Sequence, residues 1–600
     1  MAAAMALPAF AQQGAPTLAP VVVTATRSAV PLTDVLADVS IVDRASIERS
    51  GAASVSDVLR RLPGVSITQT GGPASITGVF LRGAESRFTA VFVDGVRIDS
   101  QSTGGASWEA IPLTQVERIE VLRGPAAAIY GSDAVAGVVQ IFTRQGEAGF
   151  FPALRVGAGS HGTRELNASV RGGAGDLDYA LGVAQDRSEG FNARPGGINP
   201  DRDGYRNRAV SGRLGWKPMS GQSLELTFLD NDQKAGFDAS PPPATDLSMR
   251  RLQTVGLNWT ARWSAAWSTR ATFTQGTDRY ETPTWAYLTE TRVRSYLLRN
   301  ELQAGPGLLT ADLERREDAL QNSSTLPGPQ TGRHQNAVAL GYGLRLGPHS
   351  LQANVRRDED SEFGSKSTSA LAYGYALTPQ WRATASTGTA FRAPTLFQRF
   401  SLYGTGSLMP ETSRNQELGL RWQSGVHRAG LVTYRNVVEN LIAYVSGPGP
   451  CLNGTGLYPG CYGNAGRARI TGTTLSGSTQ LAGVNLDAAL DWMDPVSRDT
   501  GKLLARRARQ QATLAASTPL GGWRLGAELQ YVGARYEDAA NTLRMAPYSL
   551  VHLNASRSID RDWTLLARLD NLADKDYTLA RGYATAGRTL FVALTWAPQR

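Results

Sequence analysis

The stretch Val116-Glu117-Arg118-Ile119-Glu120-Val121-Leu122-Arg123-Gly124-Pro125, continuing through Ala126-Ala127-Ala128-Ile129-Tyr130-Gly131-Ser132-Asp133-Ala134, decides the fold. A second apolar strand follows, from Gly137 through Val138, Val139, Gln140, Ile141 and Phe142 to Thr143, and closes a small mixed α/β unit. Everything behind it is short segments that alternate apolar and polar residues. A compact domain ahead of so long a run of period-two strands reads as a plug filling an outer-membrane barrel. That pairing predicts a gated passage, neither an enzyme nor an open pore.

Composition agrees with a membrane protein that crosses by strands. The mean hydropathy is -0.24, and no apolar run reaches the roughly 18–20 residues that a membrane-spanning helix needs. A barrel strand needs no such run, because only one of its faces meets lipid. The 64 Gly, 19 Tyr and 12 Trp suit many turns and two aromatic girdles. The formal charge of +9 is carried by arginines spread along the whole chain. A nucleic-acid surface would cluster them with aromatics, so a polar lumen lining and a setting of outer-membrane lipid and lipopolysaccharide are expected instead. The five histidines are scattered, and the chain has no zinc spacing, nucleophile elbow or phosphate-binding glycine loop.

Working outward, residues 1–11 end in the triplet Ala9-Phe10-Ala11 and resemble the tail of a secretory signal cut before Gln12. A Pro/Ala/Thr-rich leader, residues 12–33, holds one β-branched run, Val21-Val22-Val23-Thr24-Ala25. Such a run cannot bury itself and is expected to be mobile, ready to add as a strand to a partner's sheet. The plug is expected over residues 34–146. Ser54 or Ser56 would cap a helix that stops at Pro63-Gly64, strands would follow near 65–68, 79–82, 90–93, 96–98, 118–122 and 138–143, and Asp94-Gly95 would form a hairpin turn.

The barrel is expected over residues 147–600. In Trp523-Arg524-Leu525-Gly526-Ala527-Glu528-Leu529-Gln530-Tyr531 the odd positions are apolar and the even ones polar or small. Ten short turns recur between residues 173 and 562, and a longer polar loop lies between successive ones. With both barrel ends on one side of the membrane, ten turns imply eleven hairpins and therefore 22 antiparallel strands. Such a barrel encloses a lumen wide enough to need its plug.

Several motifs carry a family resemblance. The run 21–25 looks like a TonB box. The plug motifs are 57–69 (DVLRRLPGVSITQ), Phe80-Leu81-Arg82-Gly83, Val93-Asp94-Gly95-Val96-Arg97, Val121-Leu122-Arg123-Gly124-Pro125 and Tyr130-Gly131-Ser132-Asp133. With the run 21–25, they make the whole chain similar to the TonB-dependent outer-membrane receptors. Stretches 434–442, 464–472, 506–511, 571–577 and 582–588 are similar to the cobalamin branch of that family. The resemblance implies energy-dependent import of cobalamin or a related corrinoid by a monomer in the outer membrane, driven through TonB with ExbB and ExbD, and no bond-changing chemistry. The rivals are a ferric-siderophore or haem receptor within the class, and a passive porin outside it.

The resemblance also implies sites. Substrate would meet the apical plug loops, at Ser75, Thr77, Ser100 and Ser102, and the barrel near Arg506 and Arg507. Acidic residues of two successive long loops, Asp201, Asp203, Asp238 and Asp246, would hold a structural calcium; no other cofactor is required. Hard carboxylate oxygens suit that ion, although Asn192 stands where a further acid is expected. Cys451 and Cys461, an even pair in a Gly/Pro-rich loop, are expected to form a disulfide in an oxidising compartment.

Overall fold

The computed structural model describes residues 21–22, 24–25, 27–28, 30–31, 35–242, 245–326, 330–446 and 460–598. Twenty-two strands pair with their sequence neighbours to form one closed barrel, from Gly149–Gly159 to Thr589–Trp596. The first and last strands close it antiparallel, with Leu154 opposite Trp596 and Gly159 opposite Phe591. Closure leaves no unpaired strand edge, the condition for β-structure in hydrocarbon. All ten short turns read from the sequence join consecutive barrel strands, as between Ala174 and Leu177 or Ala304 and Gly307.

Strand alternation sorts side chains between lipid and lumen. On Trp523–Val532, Leu525 and Leu529 face outward and exposed, whereas Glu528 and Gln530 are buried in the lumen. Tryptophans gather beside the short turns: Trp259, Trp263 and Trp267 stand at successive ring separations of 6.0 Å, and Trp381 and Trp422 at 6.3 Å. Amphipathic rings favour the membrane–water boundary, so these form the girdle of the short-turn rim.

The lumen holds a mixed five-stranded sheet ordered Asp38–Asp43, Val116–Arg123, Gly137–Thr143, Thr89–Val93, Val96–Arg97. The pair Thr89–Val93 and Gly137–Thr143 is parallel. A separate hairpin pairs Val65–Gln69 with Thr77–Leu81. Ser54 caps the helix Val55–Leu59 by accepting from the Asp57 amide. Asp94 and Gly95 both take positive φ, 49° and 81°, the geometry of a tight two-residue hairpin. The strand Asp38–Asp43 and the helix Arg44–Ser50 were not expected; the helix buries only Ile47, too little for an apolar stripe to announce it, and is fixed by Asp43, which caps it.

Ion pairs fasten plug to barrel. Arg82 reaches Asp38 and the barrel's Glu417, each at 2.7 Å, with its guanidinium 4.4 Å from the Tyr434 ring centre. Asp133 receives Arg97 and the barrel's Arg316, each at 3.0 Å, with Arg392 at 3.7 Å. Burial alone would raise the Asp133 acid, but these arginines hold it well below the usual carboxylate range. Buried charges persist only when so paired.

Candidate functional site

The long-loop mouth of the barrel is floored by two plug loops. In the first, the Ser75 amide and hydroxyl both donate to the Gly72 carbonyl, at 3.0 and 2.7 Å, and Thr77 Oγ1 donates to Ser75 O at 3.0 Å. This tight turn leaves Ile76 56% exposed at its tip, Ser75 half-buried and Thr77 buried. Gly71 has φ +123°, and a Cβ there would lie 2.9 Å from Ala193 of a barrel loop. Only glycine permits that approach.

In the second loop, Ser100 Oγ accepts from the Ser102 amide at 3.1 Å and lies 3.4 Å from Thr291 Oγ1 on the barrel. Ser100 is buried in this turn, Ser102 is half-buried and Thr103 is exposed on the rim. Below it, Ser107 Oγ donates to Asp278 at 2.8 Å, and Arg250 bridges Asp278 and Glu109. Burial pushes the Glu109 acid up to about 7 although Arg250 opposes the shift. This floor thus presents hydroxyls, backbone groups and the apolar Ile76 tip, with no arginine or lysine in either loop.

Arg507 and Arg506 part ways. Arg507 turns to the plug, where Nε donates to the Gly83 carbonyl at 3.1 Å, Glu85 lies at 3.4 Å and the Phe80 ring centre at 4.5 Å. Arg506 is 34% exposed and pairs with Glu537 of the next long loop.

Three of the four acids named from sequence converge. Carboxylate oxygens of Asp201, Asp203 and Asp238 lie within 4.8 Å of one another. Asp238 is buried, and neither of its oxygens meets a donor. Burial, followed by the Asp203 and Asp201 charges, pushes its acid up to about 6. A buried carboxylate without a donor, beside two more, is costly until a cation joins it. Hard oxygens in flexible loops fit calcium. Asp246 stands behind the cluster, accepting from the Ala239 and Ser240 amides at 2.9 and 2.6 Å and so shaping the loop that carries Asp238. Asn192 accepts from the Arg194 amide at 2.8 Å.

At the opposite, short-turn end, the leader departs from the mobile run expected of it. Val21–Val22 pair with Val30–Pro31, and Val22, Thr24, Ala25 and Ser28 are buried. The Thr24 amide and hydroxyl both donate to Glu120 Oε2, at 2.9 and 2.6 Å, while Tyr130 donates to the Thr24 carbonyl at 2.9 Å. Arg27 adds an ion pair to the barrel's Glu314 at 2.9 Å. The run found a surface to bury against because the plug offers Glu120 and Tyr130 at one spot, a tertiary fact invisible in local composition. Val23 and the signal-like residues 1–11 lie outside the described residues. So does Cys451; Cys461 is buried at the start of Gly460–Leu481.

A plug threaded through a 22-stranded barrel, with loops over one mouth and a leader at the other, is matched by two family descriptions. Residues 31–138 match "TonB-dependent Receptor Plug Domain" and residues 160–572 match "TonB dependent receptor-like, beta-barrel". The chain belongs to the TonB-dependent outer-membrane receptors. Members are importers standing in the outer membrane, not enzymes, and their work implies TonB as partner. Among particular relatives, the vitamin B12 transporter BtuB of Photobacterium profundum is 30% identical over 588 residues, covering 96% of this chain and 95% of that protein. A mutant of the ferric enterobactin receptor PfeA of Pseudomonas aeruginosa superposes with a TM-score of 0.82 at 21% identity, over 96% of this chain and 100% of that one. The siderophore receptor PirA of Acinetobacter baumannii gives 0.79 at 20% identity, over 93% and 98%. At that identity the two structures speak for the fold alone.

Proposed function

We propose that this receptor imports cobalamin or a related corrinoid. The observation that carries the reading is the uncharged floor of the mouth. A corrinoid is bulky and ringed by amides, and it needs a wide bowl of hydrogen-bonding groups. An anionic iron chelate favours concentrated arginine and lysine, which both plug loops lack. The likeness to a vitamin B12 transporter along nearly the whole chain supports the same substrate. In this reading Ser75 and Ser102 offer donors at the floor, Thr77 and Ser100 hold those turns in shape, and Arg506 and Arg507 brace the wall and seam. Calcium at Asp201, Asp203 and Asp238, with Asp246 supporting their loop, would order the cover over the bowl.

The lumen is closed by the plug, so transport needs work delivered from the short-turn side. Residues 21–25 act as the TonB box: pairing with a partner strand lets a pull enter through backbone hydrogen bonds, whatever the ligand. Two measurements test the reading. Purified receptor should bind cyanocobalamin, more weakly after bulky substitution of Ser75 or Ser102; tight binding of a ferric siderophore with none of cobalamin would assign it to the rival branch. Val23→Pro, which removes a backbone donor, should abolish uptake while leaving surface binding intact, and unchanged uptake would reject the box.

A further inference from the structure

A polar pocket lies in the seam between plug and barrel, next to the first floor loop. The plug lines it with Arg60, Ser66 and Gln69, and the barrel with Gln511, Gln530 and Arg535. Gln69 ties it to the floor: its Nε2 donates at 3.0 Å to the Gly72 carbonyl, the acceptor on which Ser75 also closes its turn. Gln511 lies near the start of Gln510–Leu520 and Gln530 near the end of Trp523–Val532, so the pocket sits at the long-loop end of the wall.

All of these side chains except Gln69 keep a buried polar atom that meets no partner in the protein: Arg60 Nε, Ser66 Oγ, Gln511 Nε2, Gln530 Oε1 and Arg535 Nη1. Gln511, Gln530 and Arg535 are more than nine-tenths buried. Buried polar groups seldom go unpaired, and so many on one pocket call for a partner from outside the chain.

Charge says which kind. Arg60 has Asp57 at 3.4 Å, and Arg506 at the pocket's edge has Glu537. Arg535 is only 4% exposed, yet no carboxylate among the described residues pairs with it. Neutral groups hold it instead: Nη2 donates to the Thr578 carbonyl, and the guanidinium stands 5.3 Å from the Tyr548 ring centre. Water can satisfy orphaned donors but cannot balance a buried guanidinium. An anion does both.

We propose that this pocket binds a phosphate-type oxyanion, which bridges plug to barrel. Arg60 and Ser66 donate from the plug, Gln511 and Arg535 from the barrel, so donors meet the ligand from two facing walls. A tetrahedral oxyanion offers acceptors in both directions, and guanidinium–phosphate pairs are among the strong charge-assisted ones. The phosphate group arrives either free or as the phosphodiester of a nucleotide-bearing corrinoid; only the second source rests on the import reading above.

The experiment titrates detergent-solubilised full-length receptor, dialysed free of phosphate, with inorganic phosphate in a calorimeter. A single phosphate should bind. Arg535→Gln should weaken it about tenfold or more, and Gln511→Glu, which gives Arg535 a carboxylate from the chain itself, should abolish it. An intact heat-modifiable band on gels shows that each variant is folded. Cyanocobalamin and cobinamide, which lacks the phosphodiester, then separate the sources. Phosphate binding lost in receptor loaded with cyanocobalamin but kept with cobinamide assigns the site to the substrate's own phosphodiester; binding kept with both assigns it to free phosphate. No phosphate binding, equal affinity for chloride or acetate, or unaltered affinity in the folded variants overturns the site. Receptor that binds neither corrinoid sinks the import reading alone, and the phosphate titration still decides the pocket.

Discussion

Thr24 and Glu120, 96 residues apart, form a double hydrogen bond in which one carboxylate oxygen accepts both the amide and the hydroxyl of the threonine. The contact joins the leader to the plug strand Val116–Arg123, second in the five-stranded sheet. Tyr130 closes it from the other side, and Gln140 donates to the tyrosine at 2.9 Å. If residues 21–25 serve as the proposed TonB box, the segment a partner would seize is parked on the domain it would pull.

Thr24→Val should loosen that contact. Loss of a hydroxyl bond to a carboxylate costs about 1.5–3 kcal/mol, which raises the population of released leader about tenfold or more. Arg27, pinned to Glu314 when the leader is docked, reports release as a trypsin site. Cleavage there should speed up in step with opening; an unchanged rate would show that Thr24 does not hold the leader.

The seam between Arg82 and Glu417 predicts an asymmetry. Glu417→Gln leaves Arg82 with Asp38 as its one carboxylate partner. Removing one member of a buried pair costs about 3–5 kcal/mol. Denaturant unfolding of the plug, followed by tryptophan fluorescence, should move accordingly. A joint Arg82→Met, Glu417→Leu change should cost less than the sum of the singles. Additive losses would mean the pair is not coupled.

Calcium binding at the acid cluster should depend on pH with a definite sign. Asp238 titrates near 6 in the metal-free loops. Its neutral form is the favoured one there, so the metal-free loops are steadiest below the ordinary carboxylate range and lose that stability as pH rises through 6. Calcium requires the ionised form, so affinity should fall about tenfold per pH unit below 6 and level off above 7. Calorimetry at pH 5.5 and 7.5, with Asp203→Asn as control, checks both; pH-independent affinity would contradict the site.

Cys451 and Cys461 should be linked in unreduced outer membranes. Closing that short loop stabilises it by about 2–3 kcal/mol in the chain-entropy account, with the barrel unaffected. Peptide mapping without reductant should find the crosslinked pair, and two freely alkylated thiols would refute it.

By itself the sequence determined the architecture, because a barrel's rules are local. Period-two alternation sets which face of Trp523–Val532 meets lipid, and the ten short turns count the strands. Ser54 and the Asp94-Gly95 turn likewise act on neighbours a few residues away. Three acids of the candidate cation cluster were legible as a type of residue in successive loops. Their convergence, and the separate post of Asp246, came from folding those loops together. Tertiary structure alone decided which polar groups meet: Arg82 with Glu417, and Thr24 with Glu120. Such partnerships depend on strand register, and a slip of one residue would send every side chain to the opposite face. Register is set by the closed barrel and the plug inside it, and no stretch of chain short enough to read locally contains it.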